Sequence, residues 1–330
     1  MDSFKIYTQS DVLSLVNHRN GEQKLGERVQ IAASFEALEK STAKFVLLGI
    51  PEDIGVRANY GIAGTKTAWD ATLKAFLNIQ GNTFLSGEEV LVLGHFEIEE
   101  PPLNATIQEL RNRVSAIDEL VYPIIQQIIL AKKTPIIIGG GHNNAAPIIW
   151  GTSLACNQKI NVVNIDAHAD LRDTSEGRHS GNGFSYALEK DYLGDYRIFG
   201  LHQNYMNKNL LHQMQSNTNL KAICIEELLQ QDKNVITHWF EMVADLPYPC
   251  GLEIDLDSIA NVLSSAATPS GFSLNDIRKI MLSNSKKFCY LHICEGAITL
   301  ADGREDLTTG KTTAYLISDF IKALLPSIYR

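Results

Sequence analysis

The chain has 330 residues, of which 45% are hydrophobic and 20% are charged, and its formal net charge is −9. This balance is typical of a globular protein with a substantial core. The acidic excess argues against a nucleic-acid partner, which needs a basic face, but leaves a small cationic or zwitterionic substrate open.

The cysteines and the N-terminal region favour a cytoplasmic protein without a membrane partner. Five cysteines are scattered through the chain, mostly within apolar runs: Cys156, Cys224, Cys250, Cys289 and Cys294. Such a set is typical of reduced buried thiols rather than of a disulfide framework or a zinc knuckle. Residues 1–22 are polar and lack the apolar core of a signal peptide. No apolar stretch approaches the roughly 20 residues needed to cross a bilayer.

Short β-branched runs alternate with longer helix-like segments. The predicted strands are Phe45–Ile50, Val90–Gly94, Pro135–Gly139, Ile160–Asp166, Tyr196–Leu201, Lys221–Cys224, Gly251–Leu256 and Tyr290–Cys294. The helix-like segments include Thr67–Asn78, Ile107–Lys132 and Ser273–Ser285. Several strands are almost continuously apolar, as in a parallel sheet that is covered on both faces. The alternation predicts an α/β fold with one parallel sheet.

The first motif with chemical meaning is Gly139-Gly140-Gly141-His142, which follows a buried strand. Glycines at this point let the backbone turn sharply or approach a ligand closely. They could also cradle a phosphate, but the Lys-Ser/Thr ending of a P-loop and the spacing of a dinucleotide fingerprint are missing. By itself, a histidine here is more often a turn residue than a metal ligand.

The second motif places Asp166, His168 and Asp170 at every second position after an apolar strand. On an extended chain alternate side chains point the same way, so the three can converge on one spot. The alternative is a polar loop in which Asp and His are turn residues.

The third motif is Asp255 and Asp257, again two residues apart and within an apolar run. Two buried carboxylates on one side of a strand repel each other and are costly to desolvate, so protonation or a cation must resolve the conflict. The alternative is a strand edge with exposed aspartates.

The three motifs are more specific together than apart, because all lie at the carboxyl ends of predicted strands, where open α/β sheets place their sites. They supply two imidazoles and four carboxylates. Such a ligand set suits Mn²⁺ better than Zn²⁺, and four carboxylates balance two divalent cations that would activate water. The predicted metal ligands are His142, Asp166, His168, Asp170, Asp255 and Asp257. Since these motifs spread from the middle to the end of the chain, we expect one domain over residues 1–330, with residues 1–40 as an N-terminal extension packed on it.

These motifs resemble those of the ureohydrolase family, which includes arginase, agmatinase and formimidoylglutamase. The family's Gly-Gly-x-His stands at Gly139–His142, its Asp-Ala-His-x-Asp at Asp166–Asp170 and its Asp-x-Asp at Asp255–Asp257. The glycine-rich segment Gly55–Gly64 is similar to the family's N-terminal loop, so the resemblance extends from about Phe45 onward. It implies a three-layer α/β/α fold around a mainly parallel eight-stranded sheet, two Mn²⁺ ions per subunit, and a homo-oligomer that is a trimer or a hexamer.

Several positions are similar to formimidoylglutamase in particular. Gly141 stands where arginases and agmatinases usually have aspartate, and Asp170-Leu171-Arg172 matches the formimidoylglutamase pattern. The resemblance therefore implies hydrolysis of N-formimidoyl-L-glutamate to L-glutamate and formamide, a step of histidine degradation. Phe184 stands where arginases place a proton-shuttle histidine. Two alternatives remain: a hydrolase of arginine, agmatine or a guanidino acid that releases urea, and a family scaffold without turnover.

The resemblance also implies catalytic roles. Asp170 would take a proton from the attacking water, and Glu295, at the end of the last predicted strand, would pair with the cationic nitrogen of the substrate. His179 would shuttle a proton to the leaving nitrogen. The alternatives are an exposed or capping Glu295 and an exposed loop His179. The other histidines in or beside strands, His95, His202 and His292, are expected to be structural.

The same loop offers candidates for substrate binding. Arg172 or Arg178 would hold a substrate carboxylate in a two-pronged contact, although both could be solvated loop charges. Ser180 and Asn182 stand in Ser180-Gly181-Asn182-Gly183-Phe184, which takes the place of the substrate loop of formimidoylglutamases. They are the remaining predicted substrate contacts.

Overall fold

The structure, a computed structural model, describes residues 3–102, 104–231, 234–284 and 286–325. Its strands are β1 (Phe4–Ile6), β2 (Phe45–Gly49), β3 (Val90–Phe96), β4 (Thr134–Ile138), β5 (Ile160–Ile165), β6 (Leu193–Leu201), β7 (Leu220–Cys224), β8 (Cys250–Asp255) and β9 (Leu291–Cys294). They form one nine-stranded sheet in the order β1-β3-β2-β4-β9-β8-β5-β6-β7. All neighbours pair in parallel except β1, which pairs with β3 in the antiparallel direction.

The strands are apolar on both faces because each face of the sheet has its own core. In β2, Phe45 and Leu47 point into one core, whereas Val46 and Leu48 point into the other. This alternation follows from the two-residue period of a strand. A sheet covered on both sides needs crossover connections, and helices provide them.

The helices are α1 (Gln9–Leu13), α2 (Ile54–Ala58), α3 (Ala68–Leu77), α4 (Ile107–Leu130), α5 (Ala145–Cys156), α6 (Gly183–Glu189), α7 (Lys208–Ser216), α8 (Ile225–Gln230), α9 (Val235–Val243), α10 (Leu274–Ser283) and α11 (Thr309–Leu324). Helices α3, α9, α10 and α11 pack on one face, and α4, α5 and α6 on the other. The result is three layers, α/β/α. In the described part of the chain, no helix is long and apolar enough to span a membrane.

All eight predicted strands are confirmed, with ends that differ by at most three residues. The predicted helices are also present as α3, α4 and α10, although Ser285 lies outside the described residues. The sheet has nine strands rather than the predicted eight. The additional strand, β1, has three residues and pairs Phe4 with Phe96 at the edge, so it is too short to show a periodic pattern in the sequence. The five cysteines are free, as expected.

Candidate metal centre

Four neighbouring strands, β4-β9-β8-β5, bring the predicted ligands to one edge of the sheet. His142 follows β4, Glu295 follows β9, and Asp255 ends β8. Asp166, the first residue after β5, begins the segment that contains His168 and Asp170. The carboxyl ends of parallel strands share an edge, so ligands that are far apart in sequence become neighbours.

Each aspartate motif converges through a turn rather than through strand alternation. Strand β5 ends at Ile165, and the Asp166 carboxylate accepts a hydrogen bond from the backbone N–H of His168 at 2.7 Å. In the same way, the Asp255 carboxylate accepts one from the backbone N–H of Asp257 at 2.8 Å. In both motifs the first aspartate therefore folds the chain, and the second ligand returns to the same cluster.

The first group of ligands surrounds His142. Its Nδ1 lies 3.2 Å from Asp166 Oδ2, 3.0 Å from Asp170 Oδ2 and 3.2 Å from Asp255 Oδ2. One ligand atom from each of these four residues lies within 4.8 Å of the others. Four donors at this separation can hold one cation.

The second group consists of Asp166, His168 and Asp257, whose ligand atoms also lie within 4.8 Å of one another. His168 Nδ1 lies 3.1 Å from Asp257 Oδ2 and 3.7 Å from Asp166 Oδ1. Asp166 belongs to both groups and offers a different oxygen to each histidine. The arrangement can therefore hold two cations with one carboxylate shared between them.

Burial and mutual repulsion disfavour the charged form of several carboxylates in the cluster. Burial, together with the charges of Asp257 and Asp166, raises the pKa of Asp255 well above its usual range. Burial raises the pKa of Asp257 to about 6 despite the neighbouring His168. Burial and the charge of Asp166 also raise the pKa of Asp170. Crowded buried carboxylates gain protons in this way unless a cation neutralises them.

Two of the ligands, His142 and Asp257, also have buried polar atoms without hydrogen-bond partners among the described residues. Both ring nitrogens of His142 are buried without an aligned hydrogen bond among the described residues, although three carboxylates lie within 3.2 Å of Nδ1. One oxygen of Asp257, Oδ1, is also buried without a partner. Orphaned donors of this kind fit divalent metal, and oxygen-rich sites with some imidazole suit Mn²⁺.

The raised pKa values predict that the metal-free protein loses stability as pH rises. Asp257 shifts from 3.8 to about 6, and His168 from 6.5 to about 11, because Asp257 and Asp166 outweigh the effect of burial on His168. In both cases the folded state holds a proton that the unfolded chain releases. Stability should therefore fall between about pH 4 and 6 for Asp257, by on the order of 3 kcal/mol, and fall further above about pH 6.5 for His168.

Urea denaturation of chelator-treated protein at about pH 5 and pH 8 measures this effect. Manganese binding requires deprotonated ligands, so excess Mn²⁺ should stabilise the protein more at pH 8 than at pH 5. A metal-free protein that is more stable at pH 8 would contradict the electrostatic account of the cluster.

A second layer of side chains orients the ligands. Glu253 Oε2 lies 2.6 Å from His292 Nδ1 and 3.6 Å from His142 Nε2, and Glu253 Oε1 accepts a hydrogen bond from the Tyr290 hydroxyl at 2.8 Å. Burial would raise the pKa of Glu253, but contact with His292 and His142 lowers it to about 2. On the other side, Asn164 donates to Asp166 Oδ2 at 2.8 Å. Outer partners of this kind fix the orientation of metal ligands.

The glycine loop before His142 closes around another buried carboxylate, Glu52. Its Oε1 accepts hydrogen bonds from the Gly141 backbone at 2.9 Å and from the Asn144 side chain at 2.8 Å. Glu295 Oε1 accepts the backbone N–H of His142 at 2.8 Å. The two carboxylates thus fix the backbone that presents His142.

The ligands open onto a cleft of about 480 Å³. The residues that line it include Asp170, Asp255, Asp257 and Glu295, together with Arg172. A cavity of this size holds a small metabolite.

The family of the chain follows from this arrangement and from a family-wide comparison. The model of the arginase family matches residues 43–323. The chain belongs to the arginase family. The matched region contains all six predicted metal ligands.

Relatives of this arginase-family chain include several formimidoylglutamases. That of Geobacillus thermodenitrificans is 26% identical over 312 residues, which cover 92% of this chain and 90% of the relative. Those of Hahella chejuensis and Macrococcus caseolyticus are 29% and 30% identical over 186 and 183 residues. The chain spans about half the length of these last two relatives, 51% and 54%.

Solved structures share the fold. Formiminoglutamase of Trypanosoma cruzi with Mn²⁺ superposes with a TM-score of 0.72 at 19% identity, covering 92% of this chain and 100% of that one. Formimidoylglutamase of Bacillus subtilis gives a TM-score of 0.74 at 14% identity, covering 93% and 94%. The predicted arginase-like, three-layer fold is confirmed.

Three predicted substrate residues reach the cleft of this arginase-family chain: Arg172, Ser180 and Glu295. The Arg172 side chain is 56% exposed, and its Nη1 lies 3.9 Å from Glu176 Oε2. Ser180 accepts a hydrogen bond from Asn59 at 3.3 Å. Burial and the charge of Asp255 raise the pKa of Glu295 well above its usual range.

The structure does not bring His179 and Asn182 to the cleft wall, as far as the described residues define it. His179 is fully buried and its Nδ1 accepts the backbone N–H of Gly181 at 3.1 Å. Burial, together with nearby arginines, lowers the pKa of His179 to about 3, so the ring is neutral at physiological pH. Asn182 accepts hydrogen bonds from Arg178 and from the His179 backbone, both at 3.0 Å. These contacts hold the loop together.

Arg178 also lies away from the cleft. It is 3% exposed and donates to Asp118 in α4 at 2.7 and 3.0 Å, to Asn182 and to the Asn143 backbone oxygen. Its guanidinium therefore joins the substrate loop to the loop that follows His142. The ion pair with Asp118 makes it a positioning residue.

Other polar side chains of the cleft were missed in the sequence. Tyr205 stacks on His168 with ring centroids 4.5 Å apart, and Asn207, Asn209 and Gln213 follow it along the wall. They come after β6, whose carboxyl end lies at the same edge of the sheet as the metal ligands. No spacing of ligand-type residues marks this segment. Only its place after a predicted strand could have indicated that it borders the site.

Proposed function

We propose that this chain is a binuclear manganese hydrolase that converts N-formimidoyl-L-glutamate and water into L-glutamate and formamide. The observation that supports it most is the pair of ligand groups that share Asp166, beside a cleft whose lining includes one arginine. Arg172 is the only arginine or lysine among the described residues that line this cleft. The relatives named formimidoylglutamase favour the same substrate.

In this proposal, one Mn²⁺ would be held by His142, Asp166, Asp170 and Asp255, and the other would be held by Asp166, His168 and Asp257. Bound manganese supplies Lewis-acid polarisation and activates water at neutral pH.

The other side chains of the cleft bind and orient the substrate. Glu295 faces the cleft from the end of β9 and would pair with the cationic nitrogen of the amidine. Asp170, at the rim of the ligand cluster, would accept a proton from the attacking water. Arg172, farther along the wall, would hold a carboxylate of the glutamate part. Because His179 does not line the cleft, we assign no step to it.

A substrate panel tests the proposal. The Mn²⁺-loaded protein is incubated separately with N-formimidoyl-L-glutamate, arginine, agmatine and a guanidino acid, and glutamate, formamide and urea are measured. We expect equal amounts of glutamate and formamide from the first compound and no urea from the others. Urea from a guanidine, without glutamate from formimidoylglutamate, would favour the urea-releasing alternative. No turnover of any compound with both ions bound would favour a scaffold without catalysis.

Replacing Arg172 by methionine should weaken substrate binding without affecting the chemistry. Loss of a contact to a charged group should raise KM for formimidoylglutamate roughly 10- to 100-fold and change kcat by less than about 3-fold. Steady-state kinetics with formamidine, which has the same reacting bond but no carboxylate, should show no change. Arg304→Met is the matched control, because Arg304 pairs with Asp302 at the surface. An equal loss on both substrates would exclude a role in carboxylate binding.

We also propose that the chain forms one domain and assembles into a cytoplasmic homo-oligomer, a trimer or a hexamer. The family resemblance supports this assembly. Sedimentation equilibrium distinguishes a trimer from a hexamer by mass. A monomer at micromolar concentration would contradict it.

A further inference from the structure

A second set of donors lies behind the carboxylate cluster and shares one residue with it. His142, His292 and Cys294 each offer a ligand atom, and these atoms lie within 4.8 Å of one another. All three side chains are buried, at 0%, 0% and 1% exposure. His142 follows β4, and the other two belong to the neighbouring strand β9. We call this buried group the thiol cluster; two of its members, His292 and Cys294, have no role in the proposed hydrolysis.

His292 is oriented as a metal-binding imidazole would be. Its Nδ1 lies 2.6 Å from Glu253 Oε2, whereas its Nε2 is buried without a hydrogen-bond partner among the described residues. A ring that donates from Nδ1 to a carboxylate carries a lone pair on Nε2 in its neutral form. The same carboxylate–histidine pairing recurs behind protein metal ligands. A packed core would normally satisfy such a nitrogen, so its isolation points to a ligand.

The chemistry of the thiol cluster differs from that of the carboxylate cluster. Two imidazoles and one thiol match the nitrogen and sulfur donors that Zn²⁺ prefers, and they suit Mn²⁺ poorly. On binding, Cys294 would release its proton to solvent and coordinate as a thiolate. The two clusters therefore select different metals, although they lie side by side.

We propose that His142, His292 and Cys294 form a Zn²⁺ site that competes with the manganese centre for His142. A neutral imidazole has one lone pair for a metal, so His142 cannot serve both clusters at once. Zinc in the thiol cluster therefore removes a ligand from the first manganese group, and excess zinc inhibits the enzyme. Inhibition rests on the proposed function, whereas zinc binding itself does not.

Metal binding is tested first, without any activity measurement. Co²⁺, a spectroscopic substitute for zinc, is titrated into the full-length metal-free protein. We expect a thiolate-to-cobalt charge-transfer absorption that Zn²⁺ abolishes by displacement. The absorption should be lost in Cys294→Ser and retained in Cys289→Ser, a matched control at another buried cysteine outside the cluster. Absence of the absorption in the wild-type protein would overturn the proposal.

A second measurement needs no variant and so covers the case in which Cys294→Ser fails to fold. X-ray absorption of the wild-type protein with one equivalent of Zn²⁺ should show one sulfur neighbour at about 2.3 Å beside nitrogen neighbours at about 2.0–2.1 Å. A shell of oxygen and nitrogen alone would place zinc in the carboxylate cluster and refute the site.

Competition is tested with the Mn²⁺-loaded enzyme. The zinc concentration that halves activity should be at least about tenfold higher in Cys294→Ser than in the wild type, with equal activity in the absence of zinc. Unchanged sensitivity would show that zinc inhibits elsewhere. If no substrate is turned over, the proposed hydrolysis fails on its own, while the cobalt and X-ray measurements still decide the zinc site.

Discussion

Replacing Asp257 by asparagine should remove one manganese ion and nearly all activity while leaving the fold intact. Asp257 Oδ2 lies 3.1 Å from His168 Nδ1 in the second ligand group, and Oδ1 is buried without a partner among the described residues. An amide keeps the shape but loses the negative charge that binds the cation. Changes behind a metal ligand cost about 10- to 100-fold, so loss of a ligand should lower kcat/KM by more than about 100-fold.

Metal analysis and stability separate this effect from unfolding. We expect the manganese content of Asp257→Asn to fall from two ions to about one. The metal-free variant should be at least as stable as the wild type at pH 8, because a carboxyl whose pKa burial raises to about 6 no longer has to ionise in the core. Asp191→Asn is the control, since Asp191 pairs with Lys159 at the exposed surface. A variant with full metal content and activity would refute the assignment of this ligand.

The ligands themselves could be predicted because each ligand motif lies at the end of a run of apolar residues. Such a run forms a strand that is buried on both faces, and the carboxyl ends of parallel strands meet. Burying a charged side chain in that position, such as Asp255, is costly unless a partner charge or a metal ion compensates it. The chemistry of the centre therefore follows from local patterns in β5 and β8.

The supporting residues could not be predicted, because long-range contacts place them. Glu52 reaches Gly141 across 89 positions, and Arg178 reaches Asp118 across 60. His179 was expected to shuttle a proton because the ordinary pKa of histidine lies near 6.5. The ion pair of Arg178 instead fixes a loop whose turn directs the His179 ring toward the Gly181 backbone. The direction of this side chain could not be predicted, because contacts between segments that are distant in the sequence set it.

The carboxylate cluster and the glycine loop before His142 are stabilised in different ways. The carboxylate cluster is electrostatically unfavourable until cations bind, so it cannot stabilise its own geometry. Glu52 and Glu295 hold the backbone before and at His142 through hydrogen bonds that need no metal. The loop is thus formed in advance, and its rigidity depends on how closely the Gly139–Gly141 backbone approaches Glu52.

A methyl group at Gly140 should therefore destabilise the protein far more than one at Gly139. Both glycines have left-handed backbones, with φ of +75° and +86°, so either alanine adds about 1–2 kcal/mol of strain. A Cβ at Gly140 would lie 2.3 Å from Asn144 Nδ2 and 2.8 Å from Glu52 Oε1, whereas the nearest atom to a Cβ at Gly139 is 3.6 Å away.

The difference between the two variants isolates the contact with Glu52. To accommodate the methyl group of Gly140→Ala, Asn144 and Glu52 must separate, which breaks a hydrogen bond to a fully buried carboxylate and costs about 1–3 kcal/mol beyond the strain. We expect a total loss of about 2–5 kcal/mol for Gly140→Ala, against about 1–2 kcal/mol for Gly139→Ala, in urea denaturation of the metal-free protein. Manganese affinity should fall with Gly140→Ala alone, because the displaced loop carries His142. Equal losses in the two variants would show that Glu52 plays no part in holding this loop.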